Sequence, residues 1–192
     1  MPIDPGTTTP IFTACLLSNG QIGPGIGQLA AGLALGLFQY AQAGISVNSI
    51  DAGTLGVGTG IGPSIILSQP LLLQSLLASF TGHGIIGPMM PAQANAVATG
   101  MSASFALALV QTLNPLVGVG AGKLQLTPNG TGSVVFAAAF LQSGLGGPQS
   151  SKLATAVGLA LDAVIATAIG VIAIVGPPNI VPGAGIGIGK II

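Results

Sequence analysis

Apolar and polar positions along this chain follow two rhythms, and the two succeed each other in a fixed order. Three short apolar phrases, IFTACLLSNGQIGP, LLQSLLASFTGHGIIGP and VVFAAAFLQSGLGGP, each end on a Gly-Pro step, at Gly23-Pro24, Gly87-Pro88 and Gly147-Pro148. The steps lie 64 and 60 residues apart. A longer phrase follows each of them: QLAAGLALGLF, ANAVATGMSASF and KLATAVGLALDAV. Glycine then alternates with other residues, in GVGTGIG at 56–62, GVGAG at 118–122 and GAGIGIG at 183–189. Three features recurring in one order predict three tandem units, 10–66, 70–128 and 133–190. Residues 1–9, within MPIDPGTTTP and its punctuating prolines, read as an extended arm before them.

Each unit predicts a helical hairpin followed by a glycine-rich strand, a mainly α fold with short extended segments. The first phrase is a short helix. In the second unit it begins at Pro70, which suits a first helical turn. Gly20, Gly82 and Gly144 stand where a left-handed helix C-cap takes glycine. The second phrase is a longer helix, over 28–43, 92–113 and 152–170. Pro91 and Ser150 or Ser151 mark starts, and Pro115 closes the middle helix by pushing Asn114 out of the helical region. In the alternating stretches Gly56, Gly58, Gly60 and Gly62 share one face of a strand, as do Gly183, Gly185, Gly187 and Gly189.

The long helices carry small residues at four-residue spacing, which keeps them on one face. Aligned on Gly-x-x-x-small, the pairs are Gly32/Gly36, Gly100/Ser104 and Gly158/Asp162. An interior glycine costs a helix about 1 kcal/mol against alanine, so close approach of another helix is expected to compensate. The expected contact residues are therefore these six together with Gly58, Gly60, Gly118, Gly120, Gly185 and Gly187. At the latter, bare backbone can pair with the strand edge of a neighbouring chain. Three like units can stand around a pseudo-threefold axis or in a row. The ring is favoured, because a row needs polar capping units and neither end unit is more polar than the middle one.

Composition changes the picture in one respect. The chain has three Lys, three Asp, no Glu or Arg, zero formal net charge and a mean hydropathy of +0.89. Three cations cannot form a nucleic-acid-binding surface, and a surface with so few charges lacks the usual protection against association. An oligomeric assembly is expected. Without a signal-peptide pattern, maturation in the cytosol is expected.

Candidate chemistry is sparse. Gly122-Lys123 and Gly189-Lys190 fail the P-loop spacing, with Val117 or Ala184 in place of the leading Gly and Leu124 or Ile191 in place of Ser/Thr. His83 is the single imidazole and Cys15 the single thiol, in different phrases of their units, so neither a catalytic dyad nor a zinc site is expected. Asn129-Gly130-Thr131 matches a glycosylation acceptor and reads more simply as a turn. Asp162 interrupts the apolar run Leu153–Val175. It reads most simply as a hydrogen-bonded or partly solvated helix residue; if buried it requires a partner, and the sharper expectation is a backbone N–H or a Lys across a subunit or repeat interface. No cofactor, no metal and no enzymatic activity are expected.

Leu153–Val175 has the length of a membrane span. Asp near its middle costs about 2.5–3.5 kcal/mol on insertion scales, and the corresponding helices of the other units are poor spans. A membrane-embedded or membrane-active protein is therefore the alternative reading. The pattern short helix–GlyPro–LAxGLA helix–GTLGVGxG, present as PIFTACLLSNGQIGP, QLAAGLALGL and DAGTLGVGTGIGP, resembles small virion structural proteins of T4-like tailed phages, notably those of marine cyanobacteria. The resemblance spans nearly the whole chain and is strongest in the first unit. It implies a non-enzymatic part of a virion, assembled in the host cytoplasm with other virion proteins, without saying head, neck or tail; tail or baseplate is expected because a three-unit chain fits the three-fold and six-fold parts of a tail. It carries over no site residues.

Overall fold

The computed structural model describes residues 3–54, 57–66, 68–114, 119–175 and 183–191, and side-chain environments over 3–41, 68–108 and 126–168. The fold is mainly helical. Six helices are described: α1 (Pro5–Ser18), α2 (Ile26–Gly44), α3 (Gln69–Gly82), α4 (Met90–Leu107), α5 (Gly132–Gln142) and α6 (Pro148–Thr167). Six strands accompany them: β1 (Ile45–Thr54), β2 (Val57–Ile66), β3 (Leu109–Asn114), β4 (Val119–Thr127), β5 (Ile169–Val175) and β6 (Gly183–Ile191). Two helices and then two strands follow each other three times along the chain.

The helices form a closed ring. α1 packs on α2, α2 on α3, α3 on α4, α4 on α5, α5 on α6, and α6 returns to α1. α2, α4 and α6 bury wide faces, whereas α1, α3 and α5 bury the narrow stripes Thr8/Phe12/Leu16, Leu72/Leu76/Phe80 and Gly132/Phe136/Phe140. Each short helix therefore wedges between two long ones. The core follows the spacing of the Gly-Pro steps. Adding 64 and then 60 to Phe12 gives Leu76 and Phe136. The same offsets relate Leu16, Phe80 and Phe140; Leu33, Val97 and Val157; and Leu37, Met101 and Leu161. All twelve are buried.

The strands pair antiparallel in sequence order, and β6 closes on β1 as a six-stranded barrel. Each long helix runs almost directly into a strand, and α3 and α5 follow closely on β2 and β4. Connectivity thus puts the Gly-Pro turns at one end of the molecule and the helix–strand junctions at its middle. The glycine alternation fits a period-two register: Gly183, Gly185, Gly187 and Gly189 stand opposite Gly53, Asp51, Ser49 and Val47 of β1.

Several expectations are corrected. The extended arm is helical from Pro5. Asp4 caps it, its Oδ1 accepting from Thr7 N–H at 3.1 Å, with Pro5 in the first turn. The middle long helix ends at Leu107 rather than 113, and the third at Thr167 rather than 170. The segments that follow are strands β3 and β5, so the span Leu153–Val175 is a helix and a strand. The third long helix starts at Pro148, ahead of Ser150. The C-cap glycine of the second unit is Gly84 (φ +73°), not Gly82, which is the last helical residue. Gly20, Gly84 and Gly144 each close a Schellman motif. Their N–H groups donate to Leu17, Thr81 and Leu141, and the next N–H reaches back to Leu16, Phe80 and Phe140.

Candidate packing site

The small-residue faces receive helices of the same chain. Gly32 lies under Phe80 and Ile85 of the α3 end: a Cβ on it would stand 3.0 Å from the Phe80 ring. One turn on, Gly36 lies under Leu76, whose Cα would be 3.1 Å from such a Cβ. Gly100 of α4 receives Phe136 of α5 in the same way, at 2.7 Å. These contacts are related by the core spacing, since Gly36 and Leu76 shift to Gly100 and Phe136. The residues matching Gly32 and Gly36 are thus Ala96 and Gly100, then Ala156 and Ala160. The alignment with Gly100/Ser104 and Gly158/Asp162 is off by one helical turn in α4 and by two residues in α6. Periodicity shows which face is small, but only the partner side chain sets the register. Ser104 is buried and its hydroxyl has no hydrogen-bond partner among the described residues.

Gly158 differs from the others because it meets backbone. A Cβ there would stand 2.5 Å from both Gly132 O and Ser133 N. Reciprocally, one on Gly132 would lie 2.5 Å from Gly158 O and 2.8 Å from Asp162 Oδ2. α5 and α6 can approach this closely only because both positions are glycine. The approach brings Asp162 to the first turn of α5, where Oδ2 accepts from Gly132 N–H at 3.1 Å. This N–H is one of the donors that a helix start leaves unpaired, and the carboxylate also faces the positive end of the helix dipole. Burial raises the Asp162 pKa above the ordinary carboxylate value, and the Gly132 hydrogen bond opposes part of that rise. Asp162 has the backbone partner expected of it, inside one helical hairpin and not across a subunit or repeat interface.

Further bonds link consecutive hairpins, Asn95 Nδ2 donating to Ser143 Oγ at 3.3 Å among them. Ser79 Oγ donates to Gly32 O at 2.7 Å in a buried position. Tyr40 Oη accepts from Ser68 N–H at 2.6 Å, fixing the chain as it enters α3. Sequence reasoning singles out neither Ser79 nor Tyr40; a lone Tyr at the end of an apolar helix is the available signal for the second.

The glycine stretches pair within the chain. Gly58 and Gly60 of β2 pair with Gly53 and Asp51 of β1, and on the other side with Asn114 and Thr112 of β3. Gly120 pairs with Ile174, Gly185 pairs with Asp51 of β1, and Gly187 sits between Ser49 of β1 and Ile174 of β5. In the closed barrel the backbone groups of these described residues pair with neighbouring strands of the same chain and not with a free edge of another. Gly118 and Gly56 lie outside the described residues.

The remaining candidates stand apart from one another among the described residues. Among the described residues no three of His, Cys, Asp and Glu come together. His83 caps α3, its Nδ1 standing 2.9 Å from Ser79 O. A carbonyl only accepts, so this nitrogen carries the proton. Burial raises the Cys15 thiol pKa, which disfavours the reactive thiolate. A cleft of about 220 Å³ between α4 and α5, lined by Thr99, Ala103, Val135, Ala138, Ala139 and Gln142, holds no charged group. No family model, curated protein or solved structure matches the chain.

Proposed function

We propose that the chain is a non-enzymatic structural component of a tailed-phage virion, in the tail or baseplate, built from three equivalent units around a pseudo-threefold axis. The observation that carries the assembly reading is the apolar, nearly uncharged surface of the helical ring. Leu17, Leu71, Val134 and Leu141 on the short helices are exposed. Around the Gly-Pro turns so are Ile22 (87%), Ile86 (79%) and Met89. Within α1 to α6 the charged residues are Lys152 and Asp162. Exposed apolar area without interspersed charge favours association. The offsets of 64 and 60 that relate core residues, cap glycines and helix contacts support the three-unit reading. The phage assignment itself rests on the sequence resemblance, and the partners would be other virion proteins or further copies of this chain.

The membrane alternative has one observation in its favour, the 20-residue apolar helix α6. However, it is the one helix of such length and composition among the described residues, and 44% of its most apolar window is buried inside the fold. Mass spectrometry of purified particles, combined with flotation of lysate on a lipid gradient, separates the two readings. A virion component sediments with particles and resists detergent extraction. Flotation with lipid and absence from particles would overturn the proposal.

A further inference from the structure

The chain contains two Asn-Gly pairs in described loops, and the structure treats them in opposite ways. Asn19-Gly20 belongs to the Schellman motif of α1. Gly20 N–H donates to Leu17 O at 3.0 Å, and Asn19 Nδ2 donates to Cys15 O at 2.8 Å. Asn129-Gly130 lies in the turn between β4 and α5, and both residues are exposed. Gly130 takes φ +71°. Its N–H and the Asn129 amide make no hydrogen bond among the described residues.

We infer that Asn129-Gly130 is a site of spontaneous backbone modification in the folded protein, and that Asn19-Gly20 is protected by its cap. The Gly130 nitrogen attacks Asn129 Cγ and loses its proton to solvent. The new C–N bond closes a five-membered succinimide, and the Cγ–Nδ2 bond breaks to release ammonia. Water then adds to either ring carbonyl and opens the ring, leaving aspartate or isoaspartate. The net change exchanges the amide for a carboxyl with one water consumed and one ammonia released. Three features favour Asn129: glycine offers no Cβ to hinder the attack, the nucleophilic nitrogen is unengaged, and exposure admits water. At Asn19 the nucleophile and the side-chain amide are both held in hydrogen bonds that must break first. The product places a new negative charge two residues before Thr131, the N-cap residue of α5, in a chain of zero formal net charge.

The test uses the full chain and its own lysines. Trypsin releases residues 124–152, in which Asn129 is the only Asn, from the segment that contains Asn19. The folded protein is incubated at mildly alkaline pH, and the mass gain of amide-to-acid conversion is followed at each site. Asn129 is expected to convert at least about tenfold faster than Asn19, the factor that one or two net hydrogen bonds supply. In urea the two rates should converge, because both are Asn-Gly in an unfolded chain. Asn129→Gln should abolish the fast acidic species on isoelectric focusing. Equal rates in the folded protein, or faster conversion at Asn19, would overturn the inference. So would a tenfold difference that persisted in urea, since local sequence and not the fold would then set it.

Discussion

Adding one methyl group at Gly158 tests the closest helix contact. In Gly158→Ala the new Cβ meets Gly132 O and Ser133 N at 2.5 Å, against 3.4 Å or more for ordinary contact. Since the opposing atoms are backbone, no rotamer change relieves the clash and α5 must move off α6 by roughly 0.9 Å, the difference of those two distances. A gap of that order forfeits about a quarter to a half of the dispersion well for each contact it opens, here around the buried Phe136 and Phe140. It also stretches the Asp162–Gly132 hydrogen bond from 3.1 Å. Overpacking of this kind costs about 1–3 kcal/mol, and weakening a hydrogen bond to a charged group adds up to about 1.5 kcal/mol. Alanine returns about 1 kcal/mol of helix propensity. The net expectation is a loss of about 1–3 kcal/mol, larger for Gly158→Leu. Gly27, exposed at the start of α2 with nothing within 4 Å of where a Cβ would stand, is the control. Gly27→Ala should be neutral or stabilising by up to about 1 kcal/mol. Urea unfolding followed by far-ultraviolet circular dichroism reads both. With a slope of about 2 kcal/mol/M, Gly158→Ala should lower the midpoint by about 0.5–1.5 M. A midpoint that is unchanged or raised would show that α5 and α6 do not meet at these glycines.

Gly100→Leu should also destabilise, by about 1–3 kcal/mol, because the Phe136 ring lies over Gly100. Gly100→Ala should cost less than Gly158→Ala, since a side chain and not backbone must give way; thermal unfolding of the two variants side by side decides the order. The raised pKa of Asp162 means that the native state binds more protons than the unfolded state between the ordinary carboxylate value and the folded one. Stability should therefore fall as pH rises through that window and level off above it. Asp162→Asn keeps an acceptor for Gly132 N–H and should flatten this fall, as read from urea midpoints across the acidic range. A slope unchanged in the variant would place the titration elsewhere. Tyr40→Phe strands the Ser68 N–H and should cost about 1–3 kcal/mol, a loss that a calorimetric melting scan would detect.

Local signals in the sequence determined most of the helical layer. Gly-Pro steps, prolines in first helical turns and glycines at C-caps act over a few residues, so their spacing marks the hairpins and the three-part order. The exchange of Gly82 for Gly84 shows the limit. Thr81-Gly82-His83-Gly84 offers two glycines to one cap, and the length of α3 decides which takes positive φ. Strands β3 and β5 read as helix in the sequence because each continues an apolar run without a breaker. Ile169, Val171, Ile172, Ile174 and Val175 carry a β-branched signal that only gains weight once β4 and β6 lie alongside. Closure of the barrel depends on β1 meeting β6 across most of the chain, and no local pattern encodes such a pairing. It alone turns the glycine stretches from expected free edges into interior neighbours. The small-residue faces are likewise legible as faces, while the knob that fills each one is not. Whether glycine meets a ring, as at Gly100, or another backbone, as at Gly158, is fixed by the helix that arrives from elsewhere in the sequence, and that arrival is a property of the packed chain.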